Sequence, residues 1–102
     1  MEPEQRRLTR IIREILLHEW DPIGVSGIPE AADEYDNYAD VVANMLLTQS
    51  PSAEDIHRYL YEVATEHMGL SYPTLAARCE KASRTVAHQG KRTANEVPGR
   101  GD

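Results

Sequence analysis

Leu8, Ile11, Ile12, Ile15 and Leu16 recur at the i, i+3, i+4, i+7, i+8 spacing of one helical face, and Trp20 continues the stripe. This predicts a first helix over residues 4 to 19, with Pro3 suited to its opening turn. Asp21-Pro22 ends it, because the residue before a proline is pushed out of the α region and proline donates no backbone hydrogen. Residues 23 to 29, Ile-Gly-Val-Ser-Gly-Ile-Pro, mix turn formers with aliphatic residues. They read as a loop whose Ile23, Val25 and Ile28 are pinned onto the core.

Tyr35, Tyr38, Val42, Met45 and Leu46 share a second face, which predicts a helix starting between residues 32 and 35 and ending near 47. Ser52 followed three residues later by Asp55 is a capping-box signature. It opens a third helix over 53 to 68, with Ile56, Tyr59, Leu60 and Val63 inward and Gly69 as the left-handed residue that stops it. Pro73 restarts the chain, and Leu75, Cys79, Ala82 and Val86 make the thin stripe of a fourth helix over 74 to 87. Residues 89–102 are polar and rich in Gly and Pro, which predicts a disordered tail behind a single helical domain of residues 1–88. No alternating-period strand occurs. The expected fold class is all-α, a compact antiparallel bundle of three to four helices.

Composition narrows the possibilities further. A chain of 102 residues supports one modest core, and with no Phe and one Trp that core is aliphatic around Trp20. No apolar run reaches the roughly 20 residues of a membrane span, and no secretory signal opens the chain, so a cytoplasmic protein is expected. One cysteine, Cys79, excludes an internal disulfide. The net charge of −6 argues against binding nucleic acid through phosphate contacts. The charges are also segregated. Between residues 18 and 40 lie seven carboxylates and no Lys or Arg, whereas the basic residues gather near the two ends.

Candidate chemistry is sparse. Oxygen ligands alternate from Asp33 to Asp40, as a calcium loop requires, but the sixth position is Tyr38 where glycine is needed, and the twelfth is Asn44 where a bidentate Glu is needed. The four histidines show no metal-ligand spacing with Glu54, Glu62 or Glu66. Cys79 falls on an inner stripe and reads as core. The basic residues Arg78, Lys81 and Arg84 after the turn at 69 to 73 raise a recognition-helix reading, which the overall acidity disfavours. No catalytic residue, metal site or cofactor is expected. Asp33, Glu34, Tyr35, Asp36, Tyr38 and Asp40 stand out as a docking face for a basic protein partner, with tyrosines as anchors and acids giving a fast on-rate. The alternatives are a small metal-dependent or carboxylate-based enzyme using Asp33, Asp36 and His57, and a helical oligomerisation unit.

Five segments carry a family resemblance: Ile15-Leu16-Leu17, the run from Glu19 through Trp20-Asp21-Pro22-Ile23-Gly24 to Val25, the run from Asp33 to Tyr38, Tyr59-Leu60, and Glu66-His67-Met68-Gly69-Leu70. Over residues 8 to 72 the chain resembles the YugE-like family of small uncharacterised bacterial helical proteins. The resemblance implies an all-helical bacterial cytoplasmic protein and brings no reaction or catalytic residue with it. By analogy of size, charge and helicity, an immunity-like role covering a basic toxin is the most concrete form of the docking reading.

Overall fold

The computed structural model describes residues 4–25, 27–31 and 33–96, with side chains described as far as Arg92. The described elements are four helices, α1 (Glu4–Ile15), α2 (Asp36–Thr48), α3 (Ala53–Glu62) and α4 (Leu75–Glu96), with a 3₁₀ turn at Pro29–Ala31. Among the described residues there is no strand. α1 and α3 each continue into a widened π turn, Leu16–Trp20 and Val63–His67.

The π turns follow from the spacing of the buried residues. Leu8, Ile12, Leu16 and Trp20 are all buried, as are Ile56, Leu60 and Ala64. A stripe that repeats every fourth residue drifts by about 40° per step around a helix of 3.6 residues per turn. Widening the last turn cancels that drift and lets Leu16, Leu17 and Trp20 face the core together. The i→i+5 bonds are explicit: Asp21 N–H donates to the Leu16 carbonyl at 2.8 Å, and Met68 N–H to the Val63 carbonyl at 3.0 Å. Each π turn is followed closely by a left-handed residue, Asp21 (φ 33°) after the first and Gly69 (φ 69°) after the second.

The helices form two antiparallel hairpins. Along α1, Gln5 and Thr9 reach Asp40, and Arg13 reaches the earlier Asp36, so α1 and α2 run in opposite directions. Ser52 and Asp55 close a reciprocal capping box at the start of α3, which packs on α4. Leu8, Ile12, Leu16, Trp20, Val42, Ile56, Leu60, Leu75 and Val86 meet in one core. Trp20 is its largest member and Tyr35 joins it, their rings 5.2 Å apart and tilted.

Two expectations need correction. α4 does not stop near residue 87 but continues through Gly90 to Glu96, so the segment after His88 is helical as far as Glu96, and residues 97–102 lie outside the described residues. Glycine inside this helix allows close approach: a Cβ at residue 90 would stand 2.7 Å from Cδ2 of Leu46 on α2. The loop after α1 is not pinned by its isoleucines. Ile23 and Ile28 are 39% and 47% exposed, and only Val25 packs against the core. No described helix is long and apolar enough to cross a membrane.

Candidate functional site

The loop of residues 21–35 is held by polar bonds from three directions. Asp21 sits buried at its start, and its Oδ1 accepts from the Val25 N–H and from the Tyr35 hydroxyl, both at 2.8 Å. The same hydroxyl accepts from the Ile23 N–H at 3.3 Å. From the second hairpin, Arg78 donates to the Asp21 carbonyl at 3.0 Å and lies 3.5 Å from that of Trp20. The Tyr72 hydroxyl donates to the Pro22 carbonyl at 3.0 Å. Thr85 donates to the Glu19 carboxylate at 2.6 Å. The Arg78 and Tyr72 contacts reach backbone carbonyls at the end of α1 and the start of the loop. The Trp-Asp-Pro-Ile-Gly motif is therefore the knot where the two hairpins are tied.

Burial and the Asp21 carboxylate together raise the Tyr35 hydroxyl well above the ordinary tyrosine range, so it stays a proton donor to Asp21. Burial also pushes Tyr59 up to about 12, with Tyr38 adding a smaller rise. Cys79 is fully buried and its thiol is raised by burial, opposed in part by the neighbouring Trp20 indole. A neutral, enclosed thiol is a poor nucleophile.

The six candidate docking residues part company in the fold. Tyr35 is buried inside the knot and presents no surface to a partner. Tyr38 is half-buried and sits edge-on to Trp20, ring centres 6.0 Å apart. Asp36 faces Arg13 at 3.5 Å, and Asp40 accepts from the Gln5 side chain at 3.0 Å and the Thr9 hydroxyl at 3.1 Å. Of the α2 acids, Asp36 is thus matched by a basic residue of α1, and Asp40 by the neutral donors Gln5 and Thr9. Asp33 and Glu34 remain exposed, with no side-chain hydrogen bond or ion pair among the described residues. Glu30, in the 3₁₀ turn of the same loop, is exposed and unpaired in the same way.

Sequence reasoning left three exposed residues of the same loop outside the candidate set: Ile23, Ile28 and Glu30. The signal for Ile23 and Ile28 was the presence of large aliphatics in a Gly/Pro loop, which fits an outward or an inward orientation equally. Among the described residues no three His, Cys, Asp or Glu side chains converge as a metal would need. His57 stacks near Tyr61 on α3, ring centres 6.1 Å apart, while Asp36 is engaged with Arg13. On α4, Arg78 is spent on the loop carbonyls and Arg84 pairs with Glu80 at 2.7 Å, which leaves a reading helix short of free cations.

No family model, curated protein or solved structure matches the chain.

Proposed function

We propose that this chain is a non-enzymatic protein-binding module that docks a basic partner through the loop between α1 and α2 and the acidic entrance of α2. One observation carries the reading. The loop backbone is fixed by Asp21, Tyr35, Tyr72 and Arg78, yet its isoleucines Ile23 and Ile28 stand in solvent, and the same loop exposes the carboxylates Glu30, Asp33 and Glu34, which have no side-chain partner among the described residues. A loop stabilised for its own sake would bury such side chains. A rigid loop that exposes them lowers the ordering entropy of association, with apolar anchors for affinity and acids for steering.

In this reading Asp33 and Glu34 are the direct acidic contacts, Tyr38, Asp36 and Asp40 shape the rim, and Tyr35 holds the loop. An immunity-like inhibitor of a basic toxin is its most specific form, by analogy of size, charge and helicity. The test is capture from host lysate by the wild type, beside an Ile28→Asp variant and an Asp33→Asn/Glu34→Gln variant. Selective capture of a basic protein by the wild type at low salt supports the reading. Equal capture by all three, or none, overturns it.

A further inference from the structure

Residues 41–53 hold no Asp, Glu, Lys or Arg, the longest such run in a chain of net charge −6. This run supplies one side of an open groove of 450 Å³, formed where the end of α2, the connection to α3 and the later part of α4 meet. Its walls are apolar: Leu46 of α2, Pro51 of the connection, Ala53 of α3, and Ala87 and Gly90 of α4. Gly90 presents no side chain there, and a Cβ in its place would stand 2.7 Å from Cδ2 of Leu46.

The polar groups of the groove are few and of one sign. Lys91 lines it, is exposed, and makes no ion pair or hydrogen bond among the described residues. No carboxylate lines it among the described residues. Asp55, in the first turn of α3, accepts from the Ser52 N–H at 3.0 Å and lies 3.8 Å from Arg58. The Ser52 hydroxyl is spent in the same capping box, whereas the Ser50 hydroxyl makes no hydrogen bond among the described residues. What remains free is one ammonium and one hydroxyl, both donors to an anionic oxygen. An apolar trough of this size with a few donors has the character of a small-molecule site.

We infer that this groove binds a free medium-chain carboxylate, its alkyl chain along Leu46, Pro51, Ala53 and Ala87 and its head on Lys91 and Ser50. Charge selects this occupant. The lone cation favours an anionic head over a neutral or cationic one, the apolar walls give a bare inorganic anion nothing to bury against, and a second copy of the chain would bring a like cation to Lys91. The groove shares no residue with the docking loop and is independent of it.

The test is calorimetric titration with octanoate, decanoate and dodecanoate, each kept monomeric and at fixed ionic strength, beside decylammonium. The wild type should bind decanoate saturably, about tenfold more tightly than octanoate and more tightly than decylammonium. Lys91→Glu should weaken decanoate at least about threefold, whereas Lys81→Glu, the same charge change elsewhere on α4, should bind as the wild type does. Ala53→Leu should also weaken binding by filling the groove, with Tm showing that both groove variants stay folded. Lack of saturable binding, affinity indifferent to chain length, or equal affinity in the two lysine variants would overturn the site. So would a wild-type mass that rises with concentration and that Ala53→Leu returns to monomer, which would give the groove to a second copy.

Discussion

The Tyr35 hydroxyl stands 2.8 Å from Oδ1 of Asp21 and bridges it to the Ile23 N–H, so one residue at the entrance of α2 fixes both ends of the preceding loop. Asp21 is held in the left-handed region at φ 33°, a conformation that asparagine also tolerates. Asp21→Asn, which keeps an acceptor oxygen, should cost less than Asp21→Ala. The alanine variant strands the Val25 and Tyr35 donors and should lose about 2–4 kcal/mol. Tyr35→Phe should lose about 1–3 kcal/mol. Urea denaturation of the two singles and the double gives the coupling, and it should be clearly non-additive.

Arg78 ties α4 to the end of α1 through the Asp21 carbonyl. Arg78→Ala should destabilise by about 1–3 kcal/mol, because a charged donor to a carbonyl is lost. The effect should localise: hydrogen exchange at Ile23 and Val25 should accelerate more than at Ile56 or Leu60, which lie in the α3 core.

The raised tyrosines set an alkaline limit. Tyr59 keeps its proton in the fold up to about 12, and Tyr35 keeps its own higher still, whereas both release near the ordinary value of 10 when unfolded. The folded state then binds more protons than the unfolded one. Stability is fully present below pH 10 and falls as pH rises through the folded values, by up to about 1.4 kcal/mol per pH unit for each tyrosine. Absorbance titration should show two of the five tyrosines ionising only as the protein unfolds.

Cys79 should be silent towards thiol reagents in the native protein and react fully in denaturant, since it is buried and its thiol is raised. Rapid native labelling would show that α4 opens far more readily than its packing on α3 implies.

Helix positions were legible because apolar spacing and terminal signals agreed: Ser52 with Asp55 marked the α3 start, Gly69 followed its end, and Asp21-Pro22 closed α1. The π turns were written in the every-fourth-residue spacing of 8, 12, 16 and 20, but helical spacing alone does not distinguish gradual drift from a widened turn. The polar, Gly/Pro-rich composition of residues 89–102 hid the end of α4, since the Leu46 side chain beside Gly90 comes from 44 residues earlier in the chain. The candidate site was half legible. Asp33 and Glu34 are as exposed as their composition suggests, yet Tyr35 is interior and Asp36 and Asp40 are engaged by α1, partners that local sequence cannot show. The loop that carries Ile23 and Ile28 is held at its start by Tyr72 and Arg78, again remote in sequence.

The docking role proposed for the loop after α1 is tested most directly at Ile28, where docking and folding separate. Its side chain is 47% exposed, so Ile28→Asp should leave the melting temperature close to that of the wild type, within the roughly 0.5 kcal/mol expected of a surface change. The decisive measurement is association of the captured partner with wild type, Ile28→Asp and Asp33→Asn/Glu34→Gln across ionic strength. The account predicts that Ile28→Asp raises the dissociation rate, and that the charge variant slows association and flattens its salt dependence. Unchanged rates in both variants, with both still folded, would contradict it.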